Sequence, residues 1–344
     1  MTARHRSPVR RWIGAVTFTA LIVSGCSGSV RLADAVEGQA PPPTQAVTPT
    51  APQCTAEQKA LDPTRSYAPD GPLPSPDNLP AGSTMAAIRQ RGKLIVGVSA
   101  DTLLFGARNP VKNDIEGFDI DMLKEVAKAI FGPDGESDIT YKVITYADRL
   151  PNLEAGPDNG GVDIVAHTMT INCDRWLRIA FSSTYFDAGQ RVLVKKGSGF
   201  QSIDDLNGAS ATVCAPEGST NIELLRKNEN NRFGQLVVLA KPDVTDCLVA
   251  MQQGQADGAT GDDTVLAGLA AQDPNTEVVG DKFTDEPYGL GMGKDKIDFV
   301  KFVNSVIEAM RTDGRWKDIY AKWLVGPLTD KVIDPPPAIY GREP

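Results

Sequence analysis

Lys93-Leu-Ile-Val-Gly-Val98 is followed by Phe118, Met122, Leu123, Val126, Ala127 and Ile130, then by Ile139-Thr-Tyr-Lys-Val-Ile144. The first and last runs read as strands. The middle set recurs at helical spacing and predicts an amphipathic helix over 119–131. A helix near 148–155 and a buried strand, Val162-Asp-Ile-Val-Ala166, come next. Farther on, 211–215, 236–240 and 256–260 read as strands, with helices near 219–228, 245–254 and 264–272. Helices at 298–311 and 314–324 close the chain. Alternating strands and helices predict parallel sheets with helices on both faces. These units are too many for one sheet of usual size, so two α/β domains are expected.

The sequence has 344 residues, which suits two domains or one large domain with extra segments. Net charge is −9. Residues 1–25 contain Arg4, Arg6, Arg10 and Arg11 and no acid; losing those four positive charges takes −9 to near −13. Such acidity argues against phosphate neutralisation, so no nucleic-acid partner is expected. Only two histidines occur, His5 and His167. That excludes a histidine-cluster metal site and leaves one candidate for any nucleophile–histidine pair. No P-loop is present, and Gly289-Leu-Gly-Met-Gly293 lacks the dinucleotide-binding spacing. No cofactor and no metal are expected.

The basic start, the short apolar run Trp12–Val23 and the small residues before Cys26 describe a secretory signal over 1–25. Twelve residues rise about 18 Å as a helix, short of the ~30 Å of a membrane core. Val23-Ser-Gly-Cys26 resembles a bacterial lipobox, which implies lipidation at Cys26 and a protein anchored on the extracytoplasmic face of the cell membrane. Residues 27–84 carry 11 of the 25 prolines and few large apolar residues. They cannot bury enough surface to fold alone, so 26–84 reads as a lipidated terminus and linker. Fully extended, the linker reaches roughly 180 Å. The segment 331–344 reads as a proline-rich tail. Four further cysteines, Cys54, Cys173, Cys214 and Cys247, allow three pairings. Cys214–Cys247 is preferred because both fall in one predicted domain. Cys54–Cys173 then follows by elimination and would dock the second half of the linker.

Eight motifs occur in order: Ile95-Val-Gly-Val98, Gly117-Phe-Asp-Ile-Asp121, Thr168-Met-Thr-Ile-Asn-Cys-Asp-Arg175, Phe181-Ser-Ser-Thr-Tyr185, Gly218-Ser-Thr220, Ala256-Asp-Gly-Ala-Thr-Gly-Asp-Asp263, Pro287-Tyr-Gly289 and Asp313-Gly-Arg-Trp-Lys-Asp-Ile-Tyr-Ala-Lys-Trp323. Together they resemble the polar-amino-acid solute-binding proteins of ABC importers, in particular the actinobacterial glutamine/glutamate-binding lipoproteins. The resemblance spans about 85–330. It implies a two-lobed clamp of the type II periplasmic-binding-protein kind, with two parallel or mixed sheets and two hinge crossings. Lobe 1 would be 85–187 plus 290–330, and lobe 2 would be 188–289. The crossings would lie near 186–192 and 286–290. A monomer that captures a small polar amino acid and delivers it to an ABC permease or a membrane sensor is implied. The alternative on the same fold is an amino-acid dehydratase-like enzyme.

A zwitterion needs a cation, an anion and backbone amides. Arg175 lies just past a predicted strand end, where open α/β sheets bind ligands, and its planar fork suits a carboxylate. The resemblance implies that Arg175 holds the α-carboxylate with the Thr220 amide, that Thr168 and Thr170 offer hydroxyl and backbone groups, and that Asp262 takes the ammonium. Asp263 reads as the N-cap of the next helix, though a one-residue shift would exchange it with Asp262. Arg149 matches an arginine of members that take aspartate or glutamate, and Tyr146 matches a pocket wall. Glu217 cuts the other way: it would oppose a second carboxylate, or neutralise Arg149 and favour an amide. Phe105 is either cleft lining or core. His167 is expected to be structural, and Trp316, Tyr320 and Trp323 form a core face.

Overall fold

The computed structural model describes residues 52–228 and 231–343. The signal segment, Cys26 and the first part of the linker lie outside the described residues. Two five-stranded sheets organise the rest. The first runs Ile139–Val143, Leu94–Val98, Ile164–Ala166, Gly291–Gly293, Ile179–Phe181. The second runs Val237–Lys241, Thr212–Pro216, Gly258–Asp262, Gln190–Lys195, Thr276–Val279. In each, the first three strands are parallel. The fourth strand of each is antiparallel to both neighbours. The chain therefore adopts the two-lobed α/β architecture with two mixed sheets. In these two sheets, Ile179–Phe181, Gln190–Lys195, Thr276–Val279 and the three-residue Gly291–Gly293 are the strands that periodicity alone did not reveal.

Helix Phe118–Phe131 buries Phe118, Met122, Leu123, Val126, Ala127 and Ile130 against the first sheet, as its spacing requires. Strand Gln190–Lys195 shows why the second sheet is covered on both sides. Leu193 joins one apolar cluster with Cys214 and Val265, while Val192 and Val194 join another with Val213 and Leu206. That is the period-2 alternation of a strand buried on both faces.

Two short strands link the sheets. Phe186–Ala188 and Glu286–Tyr288 pair antiparallel, with Tyr288 opposite Phe186 and Glu286 opposite Ala188. Rings gather around this ladder. Phe105 meets Phe118, Phe186 and Tyr288 at centroid distances of 5.3–5.9 Å, and Phe118 meets Trp316 at 5.7 Å. Phe105 is thus core rather than cleft lining. Three of these four pairs stand edge-to-face, each adding about 0.5–1.5 kcal/mol beyond its area burial.

The terminal segments are not free spacers where they are described. Residues 52–84 lie on the first lobe, Ser66 forms a parallel bridge with Tyr340, and the Arg342 Nε–H donates to the Arg65 carbonyl. Cys54 pairs with Cys173 and Cys214 with Cys247, the preferred connectivity. A helix absent from the sequence reading, Thr84–Arg91, starts at the Ser83 cap, whose Oγ accepts from the Ala86 amide, and stops at left-handed Gly92.

Candidate functional site

The seven residues singled out from sequence converge where the lobes meet. Arg149 opens helix Arg149–Ala155 and is 1% exposed. Its Nε–H donates to the Tyr146 carbonyl at 3.0 Å, Nη1 to the His167 carbonyl at 3.1 Å, and Nη2 to the Gly218 carbonyl at 2.9 Å. The guanidinium also stands 4.6 Å from the Tyr146 ring centre. Arg175 sits in the short helix Cys173–Trp176, capped by the Asn172 side chain. It donates to the Thr170 carbonyl at 2.7 Å and to the same Gly218 carbonyl at 3.3 Å. Two guanidiniums of one lobe thus meet on a single oxygen of the other.

Gly218 makes that meeting possible. Its φ is +79°, and a Cβ there would lie 2.7 Å from the Ala147 Cα. Only glycine adopts this turn and lets the two backbones approach.

No described carboxylate forms an ion pair with Arg149 or Arg175. The acids nearby are engaged elsewhere: Glu217 pairs with Arg226, Glu154 with Arg178, and Asp174 and Glu223 with Lys227, while Glu286 accepts from Thr170 and Thr220. Glu217 therefore does not neutralise Arg149, which removes that expectation. Burial, and then the neighbouring Arg175, push the Arg149 pKa down to about 9, so it is still charged at pH 7. Burial lowers Arg175 as well. His167 is held neutral, pushed down to about 3 by burial and Arg149; its Nε2 lies 3.2 Å from the Ile144 carbonyl and its ring packs on Tyr146. That is the structural role expected of it.

Thr170 and Thr220 face each other across the lobes with hydroxyls 3.4 Å apart. Both donate to Glu286 Oε2, at 2.6 and 2.8 Å, and Thr284 donates to Oε1 at 2.8 Å. Glu286 was missed from sequence, although it directly precedes the quoted Pro287-Tyr-Gly289. Thr220 is the first residue of helix Thr220–Lys227, one of the positions whose N–H lies outside the intrahelical ladder. The Thr168 amide donates to Asp119 Oδ2 at 2.8 Å, and the Tyr185 hydroxyl donates to Asp119 Oδ1 at 2.6 Å. Burial pushes Asp119 up to about 6.

Asp262 ends its strand and occupies the N-cap position of helix Asp263–Gln272, but makes no side-chain cap bond. Asp263, expected as the cap, is instead the first helical residue. It accepts from the Gly189 amide at 3.2 Å and pairs with Lys282 at 3.0 Å. The Asp262 carboxyl accepts from Asn221 at 2.9 Å and from the Tyr288 hydroxyl at 2.6 Å. Burial, then Glu286, push its pKa up to about 7. Among buried side-chain atoms, the Tyr146 hydroxyl and Thr168 Oγ1 have no hydrogen-bond partner among the described residues. The site therefore presents two cations on one lobe, acids on the other, and donors between them. That distribution matches a zwitterion, not a reacting centre with nucleophile and base.

The chain is similar to known proteins along most of its length. The family model for bacterial extracellular solute-binding proteins, family 3, matches residues 94–326. The glutamine-binding protein GlnH of an ABC transporter in Bacillus subtilis is 39% identical over 241 residues, 70% of this chain and 84% of that protein. The glutamate/aspartate import solute-binding protein of Salmonella typhimurium is 30% identical over 260 residues, 74% and 83% of the two chains. An ancestral arginine-binding protein solved with glutamine bound is 29% identical with a TM-score of 0.60, covering 68% of this chain and 98% of that one. These relatives are binding proteins rather than enzymes.

Proposed function

Because the chain belongs to the bacterial extracellular solute-binding proteins, family 3, we propose that it captures a small polar amino acid by lobe closure and hands it to an ABC importer or a membrane sensor. One observation carries the reading: two buried guanidiniums, Arg149 and Arg175, share one neutral carbonyl and no carboxylate. Buried charge without a counter-ion is costly, and a carboxylate ligand relieves it. Arg175 holds the α-carboxylate with Thr170 and the Thr220 amide, Asp262 takes the ammonium, and Thr168 and Tyr146 flank the side chain. The moving bodies are 85–187 plus 290–330 and 188–289, pivoting on the Phe186–Ala188 and Glu286–Tyr288 ladder.

Arg149 selects the side chain. Glutamate and aspartate satisfy both guanidiniums, so they bind best, with the amides next. A second reading places glutamine first. It is favoured by the three N–H groups that Arg149 already spends on backbone carbonyls. Calorimetry with glutamate, aspartate, glutamine and asparagine decides between them. Arg149→Ala is expected to weaken acidic ligands by at least ~2 kcal/mol, the cost of losing a charged partner, and amides much less. Comparing the two classes within one variant cancels general damage to the fold. Equal losses would reduce Arg149 to a scaffold residue.

Lipidation at Cys26 anchors the mature protein on the extracytoplasmic face, with the start of the 26–84 linker as its tether. Cys26→Ala is expected to move the protein from the membrane fraction to the medium or periplasm. Unchanged membrane retention would contradict the anchor.

A further inference from the structure

Helix Cys173–Trp176 has only four residues, too few to hold its own geometry in water. Three of the four are gripped by the segment 52–67, which lies outside the residues matched by the family model. Cys173 is bonded to Cys54. Asp174 Oδ1 accepts from the Cys54 amide at 2.8 Å. The Trp176 Nε1–H donates to the Pro63 carbonyl at 2.7 Å, Tyr67 packs edge-on against the indole at 6.1 Å, and Arg342 stands 3.7 Å from its ring centre. The fourth residue is Arg175. Its guanidinium bonds instead to Thr170 and Gly218, toward the opposite lobe.

We propose that this N-terminal strap is a positioning element for Arg175. A bidentate carboxylate contact tolerates little misplacement of the guanidinium fork. The family fold supplies the Asn172 cap and the Thr170 carbonyl. The strap adds one covalent bond and two hydrogen bonds on the outer side of the same helical turn, and so fixes the backbone from which Arg175 reaches the ligand. The inference rests on the reading of Arg175 as the carboxylate partner.

A double-mutant cycle tests it in the full-length protein, with L-glutamine and L-glutamate as calorimetric probes. The strap variant is Cys54→Ser with Cys173→Ser, and the site variant is Arg175→Lys. The strap variant is expected to weaken both ligands at least about tenfold, as for degrading one charge-assisted hydrogen bond. Combined with Arg175→Lys it should add almost nothing to the loss of Arg175→Lys alone. Trp176→Phe keeps the disulfide and the ring but removes the bond to Pro63. It should weaken binding several-fold in the same non-additive way, and serves if the cysteine variant does not fold. A strap variant with lower Tm but wild-type affinity makes the strap a structural brace only and overturns the inference. So do losses that multiply in the combined variant. Arg175→Lys binding like wild type, or a wild type that binds neither probe, instead sinks the reading of Arg175, and the inference with it.

Discussion

Arg175→Ala is expected to weaken every α-amino acid ligand by roughly 2–5 kcal/mol, from about 30-fold to a few thousandfold. All such ligands share the α-carboxylate, so unlike a change at Arg149 the loss should not discriminate among side chains. The fold should tolerate the change. Gly218 keeps its bond from Arg149, and the Cys173–Trp176 turn keeps its Asn172 cap and its disulfide. Truncation leaves one strong acceptor, the Thr170 carbonyl, without its cation. The measurement is calorimetry beside a thermal melt. Affinities unchanged across the four amino acids would remove Arg175 from the site, and a collapsed melt would make it structural.

Removing the Cys214–Cys247 bond by a double alanine substitution is expected to cost about 3–4 kcal/mol by the chain-entropy model for a loop of this size. The residues lie 33 apart in sequence and their Cα atoms are 5.5 Å apart. The bond joins strand Thr212–Pro216 to helix Val244–Gln252, and both cysteines are buried in the cluster with Leu193, Leu248 and Val265. In a domain of this size that loss corresponds to a fall of roughly 6–15 °C in Tm. Free thiols at both positions in peptide mapping, or an unchanged melt, would refute the bond's contribution. The melt should be read with ligand absent, because bound ligand raises Tm by mass action.

The parts of the fold that follow local rules were legible in the sequence. Helix Phe118–Phe131 differs from its predicted span by one residue at its start, because its apolar positions repeat at 3.6 and Gly117 and Gly132 bracket it. The returning strands were not legible. Gly291–Gly293 is three residues long with glycine at both ends, and its place between Ile164–Ala166 and Ile179–Phe181 depends on chain return from the other lobe. At the site, Arg175 and Thr220 stand in local patterns and could be found. Glu286 could not: alone it is an acid before a proline. Its character comes from hydroxyls 116 and 66 residues away. The exchange between Asp262 and Asp263 is a boundary effect. A helix start shifts by one residue at no cost to the pattern, whereas the Asn221 and Tyr288 contacts that single out Asp262 are tertiary.

The docking of residues 52–67 and 340–342 on one lobe has a mechanical meaning. A pull applied at Pro52 enters through the Cys54–Cys173 bond, spreads along the Ser66–Tyr340 bridge, and reaches Asn304, which donates to Ser66 and to the Tyr67 carbonyl. All of these belong to the lobe built on Leu94–Val98. The sheet around Gly258–Asp262 is joined to that lobe by the paired strands Phe186–Ala188 and Glu286–Tyr288, and touches it besides through Gly218, Thr220, Lys227 and Thr245. A pull at Pro52 is therefore borne first by the lobe built on Leu94–Val98, and reaches the other along the two connecting strands and, from the Cys54 amide through Asp174, at Lys227.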